Sequence, residues 1–254
     1  MKLGVCRTDD VFRIAAKNGL DYIEPAMCAI RDKSAGELIQ MRRGAEDNGL
    51  TLDGTNGFFG GDISLYDGDN AVYDYAKRNF ETANIIGASY CVIGSGTARS
   101  VPDGGDRSEY KKKFTQIIRG IGSIAKEYGV EIYVEHLRKE ESNLINTFDE
   151  AVRLCREVDL PNVGCLLDFF HFYSSKESLS ELDGLKPGEL KHVHIARPDP
   201  DRLAPKKEDA EKIKEWTDKL KQIGYDGRLS LECRWVDFEE ELACGAKILK
   251  EVIG

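Results

Sequence analysis

The chain has 254 residues, of which 41% are hydrophobic and 32% are charged, and its formal net charge is -9 at pH 7. This composition is typical of a soluble globular protein, and the length suits either one α/β barrel or two small domains. The acidic balance disfavours a nucleic-acid-binding protein, which usually presents a basic stripe, and no apolar run approaches the 18 residues that a membrane span needs.

The predicted elements alternate between short apolar runs and segments with helical spacing. The predicted strands, in chain order, are Leu3–Cys6, Tyr22–Glu24, Leu50–Gly54, Tyr90–Gly94, Glu131–Glu135, Asn162–Asp168, His192–Ile195 and Leu229–Cys233. The predicted helices are Asp9–Asn18, Ser34–Asn48, Tyr73–Ile86, Ser108–Tyr128, Phe148–Val158, Lys206–Ile223 and Phe238–Ile253. A glycine follows five of these helices, and glycine commonly ends a helix.

The repeated order of helix, glycine and strand is the rhythm of βα units with short αβ turns. Eight strands and a similar number of helices in this length predict a single (β/α)8 TIM barrel over residues 1–254, rather than an open doubly wound sheet. No linker rich in proline, glycine or serine divides the chain. The weakest segment is Ser174–Gly188, where the sixth helix is expected to be short.

The cysteines and the N-terminus bear on the cellular location. The seven cysteines are scattered, odd in number and include no CxxC pair. Four of them lie in apolar strand-like runs, where a thiol packs as a small hydrophobe. The N-terminus starts in a strand pattern with no signal-peptide pattern. These features predict a reducing, cytoplasmic location.

Four consecutive predicted strands carry a metal-ligand side chain at or near their carboxyl ends. These side chains are Glu135, Asp168, His194 and Glu232. One strand-end carboxylate often caps the next helix, but four such residues on consecutive strands are hard to explain in that way. A TIM barrel gathers these strand ends around one mouth, where its active site lies. Three carboxylates and one imidazole suit Mn²⁺, Mg²⁺ or Co²⁺ rather than structural zinc, so the pattern predicts a metal-dependent enzyme.

The motifs around these residues, at positions 134–136, 167–171, 192–194 and 231–233, carry a family likeness. Over essentially its whole length the chain resembles the xylose-isomerase-like sugar isomerase/epimerase superfamily. The resemblance is greatest to the ketose 3-epimerase and hydroxypyruvate isomerase branch. It implies that one divalent ion is bound by Glu135, Asp168, His194 and Glu232, with Mn²⁺ favoured and Mg²⁺, Co²⁺ or Zn²⁺ as other candidates.

The resemblance also implies roles around that ion. Glu135 and Glu232 would each serve as a ligand and as an acid or base, one removing a proton beside a carbonyl and the other returning it. His171, three residues after the aspartate, would contact a substrate oxygen. Glu141 would do the same, although Glu140 beside it is an alternative.

Two arginines are candidates for contacting an anionic part of the substrate. Arg202 is the nearer match to an arginine in the family's strand-seven loop, although Arg197 lies closer to the histidine ligand. That loop lacks the family's glycines, which leaves the specific sugar open. Arg99 is the second candidate, because it follows strand four in a loop with two glycines and two hydroxyl residues.

Three further residues close to the predicted site receive other roles. Glu24 ends strand two and is expected to be structural or to support the ligands from behind. His136 and His192 lie one or two positions from a ligand, so they should point away from the ion or deeper into the barrel.

The function predicted from these observations is a metal-dependent sugar isomerase or epimerase that transfers a proton through a metal-stabilised enediolate. Its substrate would be a small ketose or related hydroxy-carbonyl compound. An inosose-type dehydratase with the same metal site and a non-catalytic sugar-binding barrel are alternatives. A DNA-repair endonuclease of the same superfamily would need a histidine-rich zinc cluster, for which four histidines are too few. The expected partner is a sugar-derived small molecule, with no nucleic acid or membrane, and a homo-oligomer is compatible with the resemblance.

Overall fold

The structure is a computed structural model that describes residues 1–66 and 68–253. In these ranges eight parallel strands form one sheet in the order β2-β1-β8-β7-β6-β5-β4-β3. Isolated parallel bridges join Tyr22 to Thr51 and Ala26 to Asn56, so the two edges of the sheet nearly meet. The strands are β1 (Lys2–Cys6), β2 (Tyr22–Glu24), β3 (Gly54–Thr55), β4 (Tyr90–Ile93), β5 (Glu131–Glu135), β6 (Val163–Asp168), β7 (Leu190–Ile195) and β8 (Arg228–Leu231). The predicted (β/α)8 TIM barrel is confirmed.

The helices surround this sheet. They are α1 (Phe12–Lys17), α2 (Met27–Ile30), α3 (Ala35–Asp47), α4 (Asp69–Ile86), α5 (Gly96–Arg99), α6 (Arg107–Glu127), α7 (Phe148–Val158), α8 (Phe169–Ser174), α9 (Ala210–Gln222) and α10 (Phe238–Ile253), with short 3-10 helices at Leu179–Gly184 and Lys207–Asp209. All the predicted helices are present with ends shifted by a few residues. The helices α2, α5 and α8 were not predicted, because four to six residues are too few to show a helical period. Among the described residues, no helix is long and apolar enough to cross a membrane.

Local signals fix the ends of several helices. Ser34 begins α3 with a capping box, in which its hydroxyl accepts from the Glu37 amide and the Glu37 carboxylate accepts from the Ser34 amide. Thr147 caps α7 by accepting from the Glu150 amide at 3.2 Å. The five glycines that were predicted to follow helices all have positive φ, a conformation that glycine adopts without strain: Gly19, Gly49, Gly87, Gly129 and Gly224.

The strands differ from prediction at two places that matter for the site. Regular pairing in the third strand is confined to Gly54 and Thr55, so the predicted strand Leu50–Gly54 was placed too early. Leu50 and Leu52 are buried, so residues 50–52 show the apolar pattern of a strand. Of these residues only Thr51 forms a β-bridge, with Tyr22. The strand β8 ends at Leu231, and the next residue, Glu232, extends the ladder by donating its amide to the Ile195 carbonyl at 3.0 Å.

The barrel interior contains polar side chains as well as apolar ones. Tyr90 on β4 stacks on Tyr133 of β5 with ring centroids 4.8 Å apart. The Tyr90 hydroxyl donates to Glu24 of β2 at 3.0 Å and lies 3.3 Å from His192 of β7. Because β5 and β6 separate β4 from β7 in the sheet, the contact between Tyr90 and His192 crosses the lumen. The carboxyl ends of the strands therefore rest on a polar layer inside the barrel.

Candidate active site

The four predicted metal ligands converge at the carboxyl ends of β5 to β8. One ligand atom from each of Glu135, Asp168, His194 and Glu232 lies within 4.8 Å of the others. The His194 Nδ1 atom is 2.7 Å from Glu232 Oε2 and 3.7 Å from Glu135 Oε1. The Glu232 side chain is 25% exposed and the other three are buried, so the cluster opens to solvent beside Glu232.

In two of the carboxylates, one oxygen accepts hydrogen bonds from the surrounding structure and the other faces the cluster. Asp168 caps α8, because its Oδ1 accepts from the amides of Phe170 at 2.7 Å and His171 at 3.4 Å. Glu232 Oε1 accepts from the Asn56 amide nitrogen at 3.1 Å. The remaining oxygens, Asp168 Oδ2 and Glu232 Oε2, face the cluster. The role of Asn56 was not predicted, because nothing in the sequence pairs the end of β3 with β8.

Arg202 lies in the middle of this cluster. Its Nη2 atom donates to Asp168 Oδ2 and Glu232 Oε2 and is 4.0 Å from Glu135 Oε1. Its Nη1 atom is 3.0 Å from His171 Nε2, and its Nε donates to the Glu232 carbonyl at 3.0 Å. The guanidinium thus supplies positive charge where three carboxylates meet.

The two glutamates of the cluster have pKa values displaced in opposite directions. Burial raises the pKa of Glu135 to about 8, and the charges of Glu232 and Asp168 add to this effect. Burial acts in the same direction on Glu232, but the charges of Arg202 and His194 outweigh it and lower the pKa of Glu232 to about 2. Paired groups with separated pKa values can act as the acid and the base of one reaction.

The cluster fits a divalent metal ion. Two of its buried atoms, Glu135 Oε1 and His194 Nδ1, have no hydrogen-bond partner, although buried polar atoms normally have one. These two atoms lie 3.7 Å apart, inside the cluster. Three carboxylates and one imidazole are a donor set that Mn²⁺, Co²⁺ and Zn²⁺ accept. The residues present therefore suit one divalent ion.

Two of the predicted substrate contacts, His171 and Glu141, adjoin this cluster. His171 Nε2 lies 3.8 Å from Glu135 Oε1 and 3.9 Å from Glu141 Oε2. The Arg138 side chain, which was not predicted to take part, donates to Glu141 Oε1 at 2.8 Å and to the Pro200 carbonyl at 3.0 Å. Arg138 therefore holds Glu141 and links the loops that follow β5 and β7.

Residues 12–252 match the sequence profile of the xylose isomerase-like TIM barrel family. The chain belongs to this family. The resemblance predicted from the four strand-end motifs is thereby confirmed.

Relatives in this family include named enzymes. The 2-oxo-tetronate isomerase of Haemophilus influenzae is 29% identical over 235 residues, covering 88% of this chain and 86% of that protein. The D-psicose 3-epimerase of Agrobacterium fabrum is 27% identical over 188 residues, covering 70% of this chain and 64% of that protein. A solved structure, that of the IOLI protein with a binding zinc atom, shares the fold with a TM-score of 0.79 at 20% identity, covering 100% of this chain and 98% of that one. The predicted enzyme class, an isomerase or epimerase, is confirmed by the curated relatives.

The structure gives Arg99 a different place from the predicted one. Its side chain is completely buried, and its guanidinium donates to the carbonyls of Glu135 at 2.7 Å and Ile145 at 3.2 Å. Burial lowers its pKa to about 10, so the group stays protonated at neutral pH. The prediction that Arg99 contacts an anionic substrate is corrected, because the guanidinium lies beneath the end of β5 and not at the mouth of the barrel.

The change Arg99→Met is expected to reduce stability. It leaves two buried carbonyls, those of Glu135 and Ile145, without their donor, and each such loss costs about 1–3 kcal/mol. We expect the unfolding free energy measured with urea to fall by about 2–6 kcal/mol on this basis. The exposed Arg153→Met is the control and should change it by less than about 0.5 kcal/mol, since Arg153 pairs with Asp149 on a helix surface. Equal stability of the two variants would contradict this role for Arg99.

Two of the histidines near the ligands do not face the cluster. His192 lies deeper in the barrel against Glu24, at 2.8 Å from Nε2 to Oε2. His136 is fully buried on the other side of β5, 3.5 Å from Glu177 Oε1, and neither of its ring nitrogens has a hydrogen-bond partner. Both placements agree with the alternation of side chains along a strand.

Glu177 beside His136 gives a prediction about pH. Burial raises the pKa of Glu177 to about 8, above its ordinary value of 4.5. Between these values the folded chain holds more protons than the unfolded chain, so this contribution to stability falls as the pH rises from about 4.5 to about 8. The side chain of Glu177→Gln has no proton to lose in this range. The unfolding free energy of the variant should therefore increase relative to that of the wild type as the pH rises from 5 to 8. Parallel pH profiles would contradict this, and Glu157→Gln on the surface is the control.

Proposed function

We propose that the protein is a divalent-metal-dependent sugar isomerase or epimerase that moves a proton beside the carbonyl of a small ketose or hydroxy-carbonyl compound. The observation that carries the proposal is the convergence of Glu135, Asp168, His194 and Glu232, whose ligand atoms lie within 4.8 Å of one another. The relatives named isomerase and epimerase support the reaction class.

The ion would be held by Glu135, Asp168, His194 and Glu232, with Mn²⁺ as the first candidate and Mg²⁺, Co²⁺ or Zn²⁺ as others. When bound, such an ion supplies Lewis-acid polarisation of a carbonyl oxygen, which makes the neighbouring C–H proton more acidic. The choice among these ions is part of the proposal, and the zinc atom of the IOLI protein supports only the presence of a divalent ion.

The protein's own side chains supply the proton transfers. Glu232 Oε2 is the proposed base, because the charge of Arg202 favours its ionised form. Glu135 is the proposed acid, because it comes from β5, at the other end of the run of strands that carries the ligand set. The two side chains come from β5 and β8, on opposite sides of Asp168 and His194 in the sheet order, so they can approach a bound substrate from two sides. That placement permits proton return with inversion at the carbon atom.

The groups beside the cluster would orient the substrate. His171 Nε2 and Glu141 Oε2 lie 3.9 Å apart at its edge and can hold hydroxyl groups of a sugar. Arg202 would contact substrate oxygens, because its guanidinium already lies between Asp168 and Glu232. Pro200, two residues earlier, is tied to Arg138, which restrains the loop that carries Arg202.

Deuterium exchange followed by NMR in D₂O tests the proposed reaction. The protein, supplied with Mn²⁺, would be incubated with ketoses, ketose phosphates, hydroxypyruvate and inosose, beside an EDTA-treated sample and Asp168→Asn as controls. Metal-dependent exchange beside a carbonyl in the wild type alone would support the proposal, and the compound that exchanges would define the substrate class. Loss of water from inosose without isomerisation would favour a dehydratase. Binding of these sugars with no exchange, and no difference after EDTA, would favour a sugar-binding barrel.

A further inference from the structure

Glu24, at the carboxyl end of β2, lies below the cluster and is completely buried. Its Oε1 is 3.0 Å from His194 Nε2. Its Oε2 is 2.8 Å from His192 Nε2, and it accepts from the hydroxyls of Ser230 at 2.8 Å and Tyr90 at 3.0 Å. Four potential donors therefore surround one carboxylate that has no contact with solvent.

This arrangement determines where the proton on His194 lies. A carboxylate with a donor on every side can only accept hydrogen bonds, so the imidazole nitrogen that faces it must carry the hydrogen. For His194 that nitrogen is Nε2. In a neutral ring the lone pair then lies on Nδ1, which is 2.7 Å from Glu232 Oε2 and would face a divalent ion held by the cluster.

We propose that Glu24 is a positioning residue that holds His194 with Nε2 protonated and Nδ1 directed at the divalent-ion site. The inference rests on the proposed metal site, and it adds a residue that touches neither the ion nor the substrate. Carboxylates behind metal-binding histidines fix the ring orientation and raise its basicity, and their loss commonly lowers metal affinity about 10–100-fold.

The neighbours of Glu24 restrain it for this role. Ser230 Oγ is also within 2.8 Å of the Tyr22 hydroxyl, so Tyr22 can donate to Ser230 while Ser230 donates to Glu24. A glutamine at this position would offer one acceptor oxygen and an amide group with two hydrogens. That amide would face either the His194 N–H or the three donors on the other side, and one of these contacts would become repulsive.

The state of the wild-type ring can be measured directly. We would label the histidines with ¹⁵N, add Zn²⁺ as a diamagnetic probe and record long-range ¹H–¹⁵N spectra. The expected result is that His194 keeps its proton on Nε2 and shows the metal-bound shift at Nδ1. A ring that binds zinc through Nε2, or whose signals do not respond to zinc, would overturn the proposal.

The change Glu24→Gln tests the contribution to affinity. Zinc affinity, measured by competition with a chelating dye, should fall about 10–100-fold. The matched control is Tyr90→Phe, which removes one donor to Glu24 and keeps the contact with His194, and it should change the affinity less than about 3-fold on the same scale. Equal losses in both variants would overturn the proposal, and the spectra of the wild type decide the matter if Glu24→Gln does not fold.

These measurements need no substrate. Normal zinc binding through His194 Nδ1 together with no exchange of any sugar would refute the proposed reaction and leave the role of Glu24 standing. Exchange by the wild type together with full zinc affinity in Glu24→Gln would refute the role of Glu24 and leave the reaction standing.

Discussion

The change Glu232→Gln is expected to lower the rate of deuterium exchange about 10²–10⁴-fold, the contribution that a positioned general base usually makes. The reason is that an amide cannot accept the substrate proton at the atom where Glu232 Oε2 lies. The fold should persist, because the amide oxygen of glutamine can still accept from Asn56 as Glu232 Oε1 does at 3.1 Å. The measurement is the initial rate of exchange by NMR, with circular dichroism as the check on folding.

Metal binding has to be separated from proton transfer in this comparison. Glu232 is also a proposed ligand, so the variant should be assayed at saturating metal, with its affinity measured independently. Glu240→Gln is the matched control, because Glu240 is exposed at the start of α10 and should leave the rate unchanged. Exchange at the wild-type rate in metal-saturated Glu232→Gln would remove Glu232 from the role of base.

The barrel could be predicted because each βα unit has local signals. Strands show as apolar runs, and the helices end at glycines such as Gly129 that adopt positive φ. The errors lie where local signals are weak. The segment at Leu50 has the composition of a strand but makes little pairing, and α8 is a six-residue helix that begins directly after Asp168, a proposed ligand.

The convergence of the four candidate ligands could be predicted because the order of the strands along the chain determines their positions in the barrel. Once eight βα units are assumed, residues at the ends of consecutive strands must meet at one mouth. Contacts across the barrel do not follow from this rule. The hydrogen bond from Asn56 to Glu232 and the layer around Glu24 join strands distant in sequence, and no pattern in a single sequence specifies such pairs.

The error at Arg99 has a related cause. Its loop has the glycines and hydroxyls of an anion site, but composition does not show which way the side chain turns. The short helix α5 directs the Arg99 side chain inward, under the Glu135 carbonyl. Arg202 lies in a loop with a φ of 56°, and its side chain reaches the cluster. The direction of a long side chain is a tertiary property, which the composition of the loop around Arg99 does not show.

The change Gly94→Ala is expected to damage the site while sparing the fold. A Cβ atom at Gly94 would lie 2.2 Å from Glu135 Oε2 and 3.3 Å from Glu135 Cδ. The atom that must yield is the end of a flexible side chain, so the cost in stability should be small. The Glu135 carboxylate, however, would have to move by about 1 Å, and a misplacement of that size can cost about 10²-fold in rate.

We therefore expect Gly94→Ala to unfold at nearly the same urea concentration as the wild type, to bind Zn²⁺ more weakly and to exchange deuterium about 10²-fold more slowly. Gly61→Ala is the matched control, because a Cβ atom there meets no atom within 4 Å. Comparing Gly94→Ala with Gly61→Ala separates the general effect of replacing a glycine from the effect of filling the space beside Glu135. Full activity in Gly94→Ala would mean that the carboxylate need not occupy its observed position, and Glu135 would then lose its place as both ligand and acid.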